Sequence, residues 1–237
     1  MADIELSAPD GHRFAAYRAD PDGAPWSSVV VLQEIFGVNQ HIRSVVDRIA
    51  AAGLVAVAPA LFDRIERGAE FDYDAEGFQR GKTLAWEQLS LDDAVTDAAA
   101  TGAALAAERG GPVAVIGFCF GGMLACAVAS RKPDDLGAVV AYYPSRAAQL
   151  LTDDQPKVPL MIQLGDQDQG VTAADGDTLA ERWPSATVHR YASAGHGFNC
   201  DLRDSFDPDA SALAWERTVA FLARHIGEPA SSDGSDR

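Results

Sequence analysis

Basic residues are scarce in this chain of 237 residues: 19 Lys and Arg stand against 35 Asp and Glu, a formal net charge of −16 at pH 7. Nucleic acid and anionic membranes are bound through basic patches, so neither is expected as a partner. An anionic small molecule would need a local cationic pocket set against the global field. Long apolar runs are also lacking; the longest, such as LVAVAPALF (54–62), are strand-sized and far short of the roughly 20 residues of a membrane span. The opening MADIELSAPDG has neither the basic nor the apolar region of a signal peptide, so none is expected. Cysteine is limited to three residues at no framework spacing, which argues against a disulfide scaffold and for a reducing, cytoplasmic setting. No H-E-x-x-H, P-loop or G-x-G-x-x-G occurs. DQDQGVTAADGD fails as an EF-hand, which would need an acid at Gly170, Gly at Val171 and Glu at Asp177. No metal and no cofactor is therefore expected, and no internal repeat is found.

What the chain does contain is an alternation of apolar strands and amphipathic helices. DIELS and RFAAYRA flank a Pro-Asp-Gly turn and predict an N-terminal β-hairpin. SSVVVLQEIFG, LVAVAPALF, PVAVIGF, LGAVVAYYP, VPLMIQLGD and TVHRYASAG predict further strands. Helices are predicted within NQHIRSVVDRIAAAG, where Ile42, Val45, Val46 and Ile49 share one face, and within LDDAVTDAAATGAALAAERGG, FGGMLACAVAS, residues 173–183 and residues 208–226. Residues 63–85 are charged, aperiodic and punctuated by glycine, and are expected to form a surface excursion with at most a short helix. Strands without polar alternation, separated by helices, predict an α/β fold with a mostly parallel central sheet of about eight strands covered on both faces. One domain is expected over residues 1–227, followed by a small polar tail, 228–237, expected to be disordered.

GFCFGG (117–122) follows one of the buried strands and opens a helix. Gly117-x-Cys119-x-Gly121 fits the nucleophile-elbow pattern with Cys in place of Ser, in which small neighbours let the strand turn abruptly into the helix. The partial positive charge of a helix N-terminus favours the thiolate of a sulfur placed there. Cysteine is equally a common inert core residue, and Cys126, mid-helix among alanines, is read that way. Ligands of parallel α/β sheets bind at the carboxyl ends of the strands. Asp166 and Asp168 of MIQLGDQD and His196 of YASAGHGF fall there, in the order nucleophile, acid, base. Spacing does not choose between the two aspartates. His12, His41, His189 and His225 are read as structural or solvated.

QEIFGVN after the third strand, GFCFGG, AYYP, LGDQDQGV and AGHGF occur together in this order. With them the chain resembles, over roughly residues 3–225, the dienelactone hydrolase (carboxymethylenebutenolidase) family of α/β hydrolases. The resemblance implies the α/β-hydrolase fold and a cofactor-free hydrolase of small lactones or carboxylic esters, working through a thioester acyl-enzyme. It implies Cys119 as nucleophile, His196 as base and Asp168 as acid. It also implies Glu34 as a proton acceptor that helps to generate the thiolate when substrate arrives. An anion beside a resting thiol also disfavours its ionisation and so its oxidation. The backbone amides of Ile35 and Phe120 would form the oxyanion hole. Phe36, Trp86, Tyr142 and Phe198 are candidate pocket walls.

The family's type member binds a lactone bearing a carboxylate through two arginines. Here Arg80 stands one residue out of register before Trp86, and Cys200 occupies the second arginine position, with Arg203 the nearest arginine. Arg80 and Arg203 are the candidate anion-binding residues. The alternatives are a hydrolase of other small esters or thioesters with no anionic preference, a thiol-redox protein using Cys119 and Cys200, or a silent binding domain. The expected partner is a small ester or lactone, and the chain is expected to be a monomer or small homo-oligomer.

Overall fold

The computed structural model describes residues 2–131 and 133–227; the tail expected to be disordered lies outside the described residues. Eight strands form one sheet: β1 (Ala2–Ser7), β2 (Arg13–Ala19), β3 (Ser27–Leu32), β4 (Leu54–Pro59), β5 (Val113–Phe118), β6 (Leu136–Tyr142), β7 (Leu160–Gly165) and β8 (Thr187–Tyr191). Their order across the sheet is β1-β2-β4-β3-β5-β6-β7-β8. The β1–β2 and β2–β4 pairs are antiparallel and every other pair is parallel. β4, β5 and β7 are buried along their whole length, as expected of strands covered on both faces.

The helices follow from their caps and apolar faces. α1 (Gln40–Ala51) starts where the Asn39 side chain accepts the Ile42 amide, and it buries Ile42, Val45, Val46 and Ile49. Each such side chain contributes about 1.5–3 kcal/mol of burial. α3 (Leu91–Arg109), capped by Ser90, packs beside α4 (Phe120–Arg131) on one face of the sheet. α7 (Pro208–Ile226), capped by Asp207, covers the other face with α1, the two meeting where Arg48 lies over the Trp215 ring. α6 (Ala173–Arg182) begins with a Thr172–Asp175 capping box. A short helix, α5 (Ala147–Leu150), was not expected from the sequence.

Three predicted strands are shorter than their apolar runs. SSVVVLQEIFG leaves the sheet after Leu32 and turns at Gly37, whose φ is +78°. LVAVAPALF leaves it after Pro59 and becomes a 3₁₀ turn over Leu61–Arg64, with the Leu61 amide bonded to the Gln33 side chain. TVHRYASAG leaves it after Tyr191. Beyond the strand ends Ile35, Phe36, Leu61, Phe62 and Ala194 are still buried, but under loops at the carboxyl edge, while Ala192 is exposed. The excursion holds more order than its aperiodic pattern suggested: α2 (Ala75–Thr83) runs into a π-helical turn at Leu84–Gln88. Phe71, Leu84 and Ala85 are buried, but α2 itself packs through close backbone approaches. A Cβ on Gly81 would overlap the Ile35 carbonyl, and one on Gly77 would overlap that of Asp72. Hydrophobic periodicity cannot report such contacts. Among the described residues no helix is long and apolar enough to cross a membrane.

Candidate active site

Strand register brings the candidate residues to one level. Leu32 pairs with Gly117, so Glu34 and Cys119 each stand two residues beyond a paired position on adjacent strands. Gly165 pairs with Tyr191, which places the Asp168 and His196 loops side by side.

Cys119 lies between β5 and α4 with φ +55°, a left-handed conformation costly for a residue other than glycine. The surrounding glycines make it possible. A Cβ on Gly117 would overlap the Gly121 carbonyl, one on Gly121 would overlap that of Leu32, and one on Gly122 would stand 2.6 Å from the Tyr142 oxygen. The turn is held by Cys119 N–H to Tyr142 O at 3.0 Å and Gly121 N–H to Gln33 O at 3.0 Å. Ser145 ties it twice: its amide donates to the Cys119 carbonyl at 3.1 Å, and its Oγ lies 3.2 Å from Sγ. Among the described residues neither the Ile35 nor the Phe120 amide donates to a protein acceptor.

His196 Nδ1 is 2.8 Å from Asp168 Oδ2. The other oxygen of this buried carboxylate accepts the amides of Gly170 (2.6 Å) and Val171 (2.8 Å), so Asp168 is oriented by its own loop. Asp166 instead bonds Arg190 at 2.7 Å. Burial opposes charge on the His196 imidazole, yet the neighbouring Cys119 sulfur and the Asp168 hydrogen bond raise its pKa to about 10. The arrangement therefore favours the charged imidazolium form of His196. The Tyr143 ring meets His196 edge-on at 5.0 Å; its φ is +37° and its hydroxyl is buried without a partner.

Glu34 is buried and its Oε2 accepts the Tyr73 hydroxyl at 3.0 Å. Its Oε1 has no hydrogen-bond donor, and Arg203 Nη1 is 3.7 Å away. Arg203 lies over the rings of Tyr73 and Phe36. Burial works against its charge, but Glu34 and the surrounding ionisable groups raise its pKa. Gly197 has φ +77°, a conformation that side chains rarely adopt, and a Cβ there would displace the Arg203 guanidinium. Cys200 is buried; burial first and then Glu34 push its thiol up to about 11. Of the two readings given for His41, structural or solvated, the structure shows it buried, beside Glu34 and Cys200.

The other candidates are distributed unevenly. Phe36 packs on Tyr73, and Trp86 meets Phe120 edge-on at 5.0 Å, so both border the site. The Tyr142 hydroxyl instead bonds Thr218 on α7, and it is Tyr143 that touches the histidine. Phe198 is fully buried among Tyr142, Tyr143 and Tyr191. Arg80 is bonded to both oxygens of Glu66, at 2.6 and 2.8 Å, and is not brought to Glu34 as Arg203 is. Sequence reasoning missed Ser145, Arg146, Tyr73 and Tyr143. Ser145 and Arg146 follow β6 at the carboxyl edge, a position that could have drawn attention to them. Arg146 has φ +62° and lies over Trp86. Tyr73 comes from the aperiodic excursion and carries no sequence signal.

The model of the Dienelactone hydrolase family matches residues 14–226. The "Carboxymethylenebutenolidase" of Pseudomonas putida is 33% identical over 225 residues, 93% of this chain and 95% of that protein. The "Putative carboxymethylenebutenolidase" of a Synechocystis strain is 34% identical over 229 residues, 90% of this chain and 93% of that one. Among solved structures, the "Putative Dienelactone Hydrolase" of Klebsiella pneumoniae superposes with a TM-score of 0.80 at 27% identity, over 94% of this chain and 99% of that chain.

Proposed function

The chain belongs to the dienelactone hydrolase family and is a hydrolase of ester or lactone bonds, and from that premise we propose that it is a cofactor-free enzyme in which Cys119, His196 and Asp168 form the catalytic triad. The observation that carries the proposal is the His196–Asp168 bond at 2.8 Å, next to a cysteine held at φ +55° on the strand-to-helix turn. Asp168 holds Nδ1 protonated, leaving Nε2 to exchange a proton with the thiol. The thiolate attacks the carbonyl carbon, and the Ile35 and Phe120 amides, which have no protein acceptor, receive the oxyanion. The imidazolium then protonates the departing alkoxide or enolate. Water, deprotonated by His196, hydrolyses the thioester.

Glu34 is read as the proton acceptor that forms the thiolate from a resting thiol. Support comes from its level beside Cys119 and from its undonated oxygen Oε1. Arg203 is read as the group that holds a substrate carboxylate, because it is a cation wedged among aromatic rings at this site. A second reading, small esters with no anionic preference, is favoured by the engagement of Arg80 with Glu66. Assaying ester and lactone pairs with and without a carboxylate separates the two. Equal kcat/KM across the pairs removes the anion-binding role. A Cys119→Ala enzyme that kept its esterase activity would remove the triad.

A further inference from the structure

Glu34, just beyond β3, and His41, at the start of α1, meet Cys200 from the loop before α7, and one ligand atom of each lies within 4.8 Å of the others. Carboxylate, imidazole and thiol form a donor set suited to a borderline transition metal such as zinc(II), not to magnesium or calcium. All three side chains are buried. On two of these side chains a possible ligand atom is unsatisfied: Glu34 Oε1 and His41 Nε2 are buried without any hydrogen-bond partner. A buried polar atom left unpaired costs about 1–3 kcal/mol, so two together call for a ligand.

The surroundings hold these groups as outer partners hold metal ligands. Tyr73 donates to the other oxygen of Glu34, leaving Oε1 free. The carboxylate of Asp201 lies 3.9 Å from His41 Nδ1, on the side of the imidazole away from Nε2. Arg203, 3.7 Å from Glu34, opposes a cation here. The charges nevertheless balance, since Glu34, a Cys200 thiolate and Asp201 together match a divalent ion and Arg203.

We propose that Glu34, His41 and Cys200 bind one zinc-class divalent ion, and that its binding switches the hydrolase off by occupying the oxygen through which Glu34 serves Cys119. The metal–sulfur bond forms as the Cys200 thiol proton leaves to water; no electron is transferred. The inhibitory half of the proposal rests on the reading of Glu34 given above, and the binding half does not.

Cobalt(II) is the probe, because its thiolate complexes absorb in the near ultraviolet. The wild-type protein and Cys119→Ala are both expected to take one equivalent and to show the sulfur-to-cobalt band. Cys200→Ala and His41→Gln, each checked for fold by circular dichroism, are expected to lose the band, and Asp201→Asn to bind about 10-fold more weakly. A wild-type protein without the band overturns the site. So does a band that survives Cys200→Ala and disappears in Cys119→Ala, which would put the metal on the nucleophile. In the ester assay, zinc(II) should inhibit the wild type reversibly, with recovery on chelation, and leave the rate of Cys200→Ala where it was without zinc. Zinc bound without inhibition overturns the switch. If the metal-free protein hydrolyses no ester, the proposed function fails, while the cobalt titration still decides the site.

Discussion

Replacing Asp168 by asparagine tests the triad at the point where the geometry is most constraining. Asp168 Oδ1 accepts two amides, from Gly170 and Val171, and Oδ2 faces His196 Nδ1. An asparagine in that place has one acceptor oxygen and one donor nitrogen. Turning the nitrogen toward the loop would set it against two N–H groups and leave both unpaired, a loss of about 1–3 kcal/mol for each. The oxygen must therefore face the loop, and the NH₂ must face His196. An NH₂ there requires an unprotonated Nδ1, which puts the ring proton on Nε2, where it cannot take a proton from the thiol or from water. The loop keeps its two amide bonds, so the loss of stability should be small, about 1–2 kcal/mol. The wrong tautomer in a triad costs on the order of 10³–10⁴ in kcat, about 4–5 kcal/mol of barrier. The raised His196 pKa also depends partly on this carboxylate, so the pH profile should move to lower pH as well. The assay is kcat/KM for a small ester across pH, with thermal unfolding as a check on stability. Asp166→Asn is the control; Asp166 bonds Arg190 on the surface, and its activity should stay within about two-fold. Retention by Asp168→Asn of a tenth or more of kcat, with an unmoved pH profile, would refute the tautomer argument and with it the role of Asp168.

Gly81→Ala should lower kcat more than it raises KM, because the new Cβ displaces the Ile35 carbonyl and with it the Ile35 backbone that carries the oxyanion amide; the overpacking cost is about 1–3 kcal/mol, read by unfolding and steady-state kinetics. Arg203→Gln should reduce kcat/KM for carboxylate-bearing esters about 10-fold or more and leave neutral esters nearly unchanged, as a charge-assisted hydrogen bond is worth about 1.5–3 kcal/mol. The His196 pKa is raised from 6.5 to about 10 in the folded protein, so its stabilising effect is complete below pH 6.5 and is lost as pH rises through about 10. Unfolding midpoints should accordingly fall across that window, and His196→Gln should flatten the decline.

Residues whose signal is local were legible in the sequence. The elbow could be read because its glycines are required within six consecutive residues: Gly117 abuts Gly121, and Gly121 and Gly122 abut neighbouring strands. The Asp168 loop could be placed at the carboxyl edge because a continuous apolar strand precedes it, and the His196 loop because TVHRY reads as a strand ending in a glycine-bracketed turn. Choosing Asp168 over Asp166 needed either the family resemblance or the direct bond to His196, since two residues of spacing in a loop carry no direction. The excursion was least legible. Its helix α2 packs through Gly77 and Gly81, which leave no apolar pattern, yet the excursion supplies Tyr73 to Glu34 and ties Arg80 to Glu66.

By itself the sequence determined the alternation of strand and helix, the elbow, and the order in which Cys119, Asp168 and His196 follow one another at strand ends, because burial, capping and turn chemistry act over a few residues. Tertiary structure alone decided which groups share one buried volume. Cys200, standing where the family has an arginine, looked like a missing part of an anion site. In the fold it stands with Glu34 and His41, from segments more than 150 residues apart, while Arg203 takes up the cationic place above Gly197. Such meetings depend on strand register and on loops crossing the sheet edge, and no spacing along the chain encodes them.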